Sequence, residues 1–283
     1  MRVKTLYDEL DEVMGGGLSQ GSTMAILYDT YSFAQYFALH ILAKRIESGD
    51  FGVVSNYSYP IGRLIRGAQF AGLDIVSEGE KGNLAIVDYF SSRYGIPSRY
   101  SFVYTLSGHV GEDTINPKTF LIYREKILPN LGDRLLFRVT YTLDGLAFFF
   151  GEDIALKLLY YDLAKFMEMF PKSVTLLLVN KDAISKHFVA RVVDISDYVI
   201  DFRRQIIREG IAEDVIVSKA LTPGFIPEIF EFLICGEKEK TKDKFSFKKN
   251  KSITVENRPK HNESNFKIFN IFNFVPVNTP KPP

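Results

Sequence analysis

The sequence predicts an α/β protein, with a mainly parallel sheet flanked by helices. Three observations carry that expectation. Strand-like and helix-like runs alternate from residue 20 to residue 236. The strand-like runs, among them "STMAILY", "FGVVSN" and "VTLLLVN", are almost continuously apolar, as strands buried on both faces must be. Beyond residue 190 come the shorter runs "VVDISDYVIDFRRQ", "EDVIVSKAL" and "IFEFLICG", which read as antiparallel strands extending one edge of the sheet.

Taken in order, "STMAILY" (22–28) is the first long strand, and "FAQYFALHILAKRIES" (33–48) the helix after it. That helix sets Phe33, Phe37 and Ile41 at spacing four, one stripe of a 3.6-residue period, and stops at Gly49. "FGVVSNYS" follows as a strand, "IGRLIRGAQFAG" as a helix ending near Gly72, and "NLAIVDYF" as a strand. The stretch 91–113, "SSRYGIPSRYSFVYTLSGHVGED", is longer than most connections and rich in Tyr, Ser and Gly, so it reads as a contact loop or a mobile one. A helix around "PKTFLIYREKIL", the strand "RLLFRVTYTLD", the helix "EDIALKLLYYDLAKFMEMF" and the strand "VTLLLVN" complete the alternation. In such sheets ligands bind at the carboxyl ends of the strands, which points to the chain near Tyr28, Tyr57, Asp144 and Asn180.

Composition narrows the class of protein. With 283 residues and 46% hydrophobic content the chain can bury a full core. Its longest apolar runs are far shorter than a membrane span, and "MRVKTLYDELDE" lacks a signal peptide's apolar centre, so a cytoplasmic location is expected. The single cysteine, Cys235, forms no internal disulfide or zinc site and reads as a small apolar residue. His40, His109, His187 and His261 have no metal-ligand spacing. The net charge of +1 is uneven: residues 237–283 hold 11 Lys and Arg against 5 Asp and Glu, or +6, leaving −5 on the rest. The expected domain therefore spans 1–236, followed by a disordered basic tail, 237–283. Within the tail, 266–277, "FKIFNIFNFVPV", is either a frayed terminus or a segment that docks on a sheet edge or groove.

Four motifs carry a family resemblance. "LDEVMGGGLSQGS" (10–22) runs straight into the first long strand; "GVVSNYSYPIGRLIRGAQFAGLDI" spans 52–75; "VTYTLDGLAFF" spans 139–149; and "PGFIPEIFE" spans 223–231. Together they resemble a KaiC-type domain of the RecA-like ATPase superfamily, over residues 10 to about 236. The resemblance implies a P-loop NTPase fold. Gly15, Gly16 and Gly17 precede the strand, so they cannot be the anion cradle that must follow it.

The family's phosphate loop falls on "YDTYSFAQ", residues 28–35. Its two glycines fall on Tyr28 and Phe33, its lysine on Ala34 and its Ser/Thr on Gln35. Glycine permits the close backbone approaches that let amides cup a phosphate, lysine supplies charge, and the hydroxyl holds magnesium. None of those residues is present, and Asp29 adds a negative charge. The family's catalytic glutamate pair falls on Ser58 and Tyr59, neither a general base at neutral pH. Asp144 reads either as a surviving Walker B carboxylate at a strand end or as ordinary Asp-Gly turn chemistry before Gly145. Asn180 lies where relatives sense nucleotide, and Arg203, Arg204 and Arg208 form a basic cluster that is either solvated or meets an anion or a subunit.

These residues lead to a pseudo-ATPase that binds or regulates through protein contacts or self-association, with no cofactor expected. Two other readings stand beside it. One is an atypical ATPase that binds ATP and magnesium through Asp144 and a neighbouring subunit. The other is a nucleic-acid-associated protein using the basic tail and the tyrosine-rich loop.

Overall fold

The computed structural model describes residues 1–207, 210–234 and 245–249, all within one compact unit, Met1–Asn250. The first half comprises β1 (Arg2–Val3), α1 (Asp8–Val13), β2 (Leu18–Ser19), β3 (Ser22–Tyr28), α2 (Ala34–Glu47), β4 (Phe51–Asn56), α3 (Ile61–Phe70), α4 (Ile75–Glu80), β5 (Leu84–Asp88), α5 (Tyr89–Arg93) and β6 (Val103–Tyr104). Next, α6 (Glu112–Ile122) passes through a π-helical turn, Tyr123–Ile127, into α7 (Leu128–Leu131). The remainder is β7 (Leu136–Tyr141), α8 (Leu143–Phe150), α9 (Glu152–Met169), β8 (Ser173–Asn180), α10 (Lys186–Ile195), β9 (Tyr198–Ile207), β10 (Gly210–Lys219), β11 (Glu228–Ile234) and β12 (Phe245–Lys249).

Ten strands form one sheet in the order β12-β11-β10-β9-β3-β8-β7-β4-β5-β6. From β9 to β6 every pairing is parallel, and β9 to β12 form an antiparallel meander. All seven residues of β3 are buried, in keeping with its mainly apolar sequence, because helices cover both faces. The core accordingly divides in two. Phe37, Ile41, Phe202 and Phe232 belong to one cluster, and Tyr57, Leu143, Leu159 and Phe166 to the other.

The motif before β3 is structural. In its turn, a Cβ at Gly17, whose φ is +110°, would sit 2.5 Å from the Val3 carbonyl, so only glycine fits there. The segment 10–22 also meets the residue that precedes the 223–231 motif, where the Thr222 hydroxyl donates to the Met14 carbonyl at 3.0 Å.

Three features differ from the sequence expectation. Residues 192–195 of "VVDISDYVIDFRRQ" belong to α10, whose N-cap Ser185 accepts from the Phe188 amide. The strand that follows, β9, is parallel to β3 rather than part of a purely antiparallel edge. The domain also continues past 236. Five residues of the expected tail form β12, with Phe245 and Phe247 buried against Phe37 and Phe232, because "FSF" alternates at the strand period inside a charged stretch. The rest of 237–283, including the 266–277 segment and His261, lies outside the described residues, as do Cys235 and Arg208. No helix among the described residues is long and apolar enough to cross a membrane.

Beneath the carboxyl ends of the strands, Arg138 of β7 is almost completely buried. It pairs with Asp162 of α9 at 2.8 Å, donates to Thr175 Oγ1 at 3.3 Å and lies 3.7 Å from the centre of the Phe166 ring. This pair ties α9 to the strand whose end carries Tyr141.

Candidate functional site

The crevice predicted from topology lies at the ends of β3, β4, β7 and β8, whose last residues are Tyr28, Asn56, Tyr141 and Asn180. Its centre is a side-chain amide. Gln35, in the first turn of α2, donates from Nε2 to the Tyr28 hydroxyl at 2.9 Å and the Tyr59 hydroxyl at 3.3 Å, and its Oε1 accepts from the Tyr141 hydroxyl at 2.9 Å. Tyr28 and Tyr141 are 2% and 3% exposed. Burial pushes both phenols well above the ordinary tyrosine range; the charge of Asp144 adds to the shift at Tyr28, and the phenol of Tyr59 adds to it at Tyr141. They remain neutral hydrogen-bonding groups. Arg63 covers the Tyr59 ring at 4.0 Å, and the Asn56 side chain holds the Tyr59 carbonyl at 2.7 Å while donating to Asp88 at 2.9 Å.

The loop after β3 is equally occupied. The Thr30 amide donates to Asp182 at 2.7 Å, Ser32 to the Asp29 carbonyl at 3.0 Å, Phe33 to Glu213 at 3.2 Å and Ala34 to the Ser32 hydroxyl at 3.0 Å. Two carboxylates therefore take amides that would face an anion in a phosphate-binding loop. Burial raises the Glu213 pKa against the lowering effect of its bonds to Ser32 and Phe33, whereas the bond from the Thr30 amide lowers that of Asp182. Asp29 pairs with Lys181 at 3.0 Å, and Lys181 also bonds Asp201, so that cation is already matched by two acids. The Phe33 ring lies 6.0 Å from Tyr36 and 6.3 Å from Phe70.

The positions expected for the glutamate pair are committed elsewhere. Ser58 shares a hydrogen bond with the Thr142 hydroxyl at 2.6 Å, and Tyr59 belongs to the amide cluster. A Cβ at Gly145 would lie 2.2 Å from Ser58 Oγ, so glycine is required for α8 to settle onto this loop.

Asp144 needs correcting. It neither ends a strand nor forms an Asp-Gly turn: β7 stops at Tyr141, and Asp144 lies in the first turn of α8. It accepts from the Asn180 amide at 3.3 Å, so the structure does bring these two expected residues together. Burial raises its pKa against the opposing bonds from Thr142 and Asn180. The folded state thus holds the proton more tightly than the unfolded chain. That contribution to stability is present below the ordinary carboxylate pKa and is lost as pH rises through the raised value. Asp144→Asn, which keeps the acceptor for Asn180, should accordingly be more stable than the parent at pH 7, with the advantage shrinking at pH 4. Urea unfolding at both pH values checks this, and a more stable parent at pH 7 contradicts it.

Tyr141, Asp182 and Glu213 were missed from sequence. Tyr141 was hidden because "RLLFRVTYTLD" reads as one run past the true strand end, and the two carboxylates act through the tertiary fold alone. Among the described residues no group of three or more His, Cys, Asp and Glu is placed to hold a metal. Arg203 and Arg204 border an open groove shared with Asp29, Asp182 and Asp201.

Strand order and crevice together define a RecA-like α/β fold. Solved structures that share this fold include a KaiC-like protein. The KaiC-like protein PH0186 from the hyperthermophilic archaeon Pyrococcus horikoshii OT3 superposes with a TM-score of 0.66 at 19% identity, covering 87% of this chain and 98% of its own. The uncharacterized protein PH0321 from Pyrococcus horikoshii, crystallised in complex with an unknown peptide, gives 0.73 at 22% identity, covering 88% of this chain and 99% of its own. No protein-family model and no curated protein matches the chain.

Proposed function

We propose that this KaiC-like domain is a pseudo-ATPase, a binding or regulatory module that works through protein contacts and not through nucleotide hydrolysis. The observation that carries the reading is the closed crevice. Tyr28, Tyr59 and Tyr141 converge on Gln35 where a RecA-like ATPase would need room for phosphates and magnesium. A triphosphate brings about four negative charges and needs cations and free amides. Here the loop has no lysine of its own, Asp182 and Glu213 take two of its amides, and the nearby Lys181 is already paired with Asp29 and Asp201. These residues do not suit the nucleotide that the fold class implies.

Protein contact is the activity the remaining surface supports. Phe148, Tyr94 and Ile96 are 82%, 56% and 51% exposed, and exposed apolar patches mark interaction sites. The similar fold of PH0321 was crystallised with a peptide, which favours the same reading. Titration of the full chain with magnesium ATP and ADP tests the proposal: no saturable binding is expected, and micromolar binding would end it. An ATPase using Asp144 would instead lose hydrolysis in Asp144→Ala. A nucleic-acid binder using the basic tail and the tyrosine-rich loop would show salt-dependent affinity for DNA or RNA.

A further inference from the structure

Beside the tyrosine cluster the surface opens into a cavity of about 360 Å³. Phe90, Tyr94, Phe148 and Phe149 line it as one connected aromatic set, with ring centres 5.1 Å apart for Phe90 and Tyr94, 6.3 Å for Tyr94 and Phe149, and 5.7 Å for Phe148 and Phe149. Two carboxylates, Asp144 and Glu152, also line it, and no lysine, arginine or histidine does. Glu152 accepts from the amide and hydroxyl of Ser185, Asp144 from the Asn180 amide, and neither forms an ion pair among the described residues.

This combination is unfavourable as it stands. A carboxylate drawn out of water without a countercharge costs stability, and so does leaving large rings in water. A single kind of ligand relieves both: a cation on an apolar stem, whose charge meets the carboxylate while its methylenes and charged head lie on aromatic faces. The same rings already hold such a group from within the chain, since Arg93 lies 4.4 Å from the centre of Phe149, outside the cavity lining. An anion entering here would meet two acids and no base.

We propose that this cavity receives a lysine or arginine side chain from a protein partner, with its cation on Asp144 and its stem against Phe148 and Tyr94. The inference deepens the reading of the chain as a protein-binding module by naming the chemistry its partner presents. It also gives the half-buried Asp144 carboxylate a role that needs no magnesium.

The test uses the full chain and a blocked tripeptide with one lysine between two leucines, followed by backbone amide NMR shifts. Saturable shifts are expected at Tyr94, Asp144, Gly145 and Phe148. The norleucine peptide, which keeps the stem and lacks the ammonium, should bind about tenfold more weakly or worse, and Asp144→Asn should weaken the lysine peptide to a similar degree. Phe148→Ala, which removes a ring that is mostly in solvent, should cost roughly threefold without disturbing the core. The proposal is overturned by any of three results: equal binding of both peptides, undiminished binding to Asp144→Asn, or no saturable shift. Spermidine binding as tightly as the peptide would also overturn it, because the cation would then need no protein around it. Magnesium ATP binding would end the pseudo-ATPase reading while leaving these shifts intact, and a failed peptide titration would leave the closed crevice standing.

Discussion

Gln35→Ala will lower the unfolding free energy by about 2 to 4 kcal/mol, because one amide satisfies three phenols and two of them have no access to water. The loss comes mainly from leaving Tyr28 and Tyr141 unpaired and not from lost volume. Gln35→Met, which keeps most of the bulk, should therefore cost nearly as much, as read by urea denaturation of the two variants beside the parent. A cost below about 0.5 kcal/mol for both would show that the cluster does not brace the crevice. Neither variant should acquire affinity for nucleotide, since Asp182 and Glu213 still occupy the loop amides and no lysine has been added.

Asp162→Ala should be at least as damaging, at about 3 to 5 kcal/mol, because it leaves the buried Arg138 guanidinium without a countercharge, beside Thr175, Tyr123 and the Phe166 ring. The double change Arg138→Met with Asp162→Leu removes both charges and restores packing, so it should recover most of the loss. Thermal and urea unfolding of the single and double variants separate these cases. A single variant as stable as the parent would mean that water reaches the guanidinium. The pair matters for the crevice because it fixes β7 against α9, and β7 delivers Tyr141 three residues after Arg138.

Much of this fold was legible in the sequence. The runs that became β3, β4, β7 and β8 are apolar enough to declare strands buried on both faces, and Met14 of the 10–22 motif turns out to touch Thr222, the residue just before the 223–231 motif. The strand β12 was hidden because its two inward phenylalanines lie among lysines, so composition outweighed the alternation of "FSF". The helix α10 was hidden because Val192 and Val193 suit strands as well as helices, and only the Ser185 cap marks its start.

The candidate site was half legible. The absence of glycine and lysine from "YDTYSFAQ" was legible at once, but nothing local in the sequence reveals which distant residues meet this loop. Tyr28, Tyr59 and Tyr141 are separated by 31 and 82 positions and meet only because the sheet brings three strand ends together. Asp144 was placed at a strand end because "RLLFRVTYTLD" reads as one apolar run, whereas the chain turns into a helix at Leu143. The carboxylates of Asp182 and Glu213 reach the loop from 152 and 180 positions away, a distance over which no local pattern speaks.

The measurement that bears most directly on the closed crevice is calorimetric titration of the full chain with magnesium ATP. The pseudo-ATPase reading predicts no saturable heat up to about 1 mM ligand, the range where any remaining affinity would be weaker than about −4 kcal/mol. A saturable isotherm with a micromolar Kd, abolished by bulk at Gln35 or charge at Ser32, would contradict that prediction and restore the chain to the nucleotide-binding members of its fold.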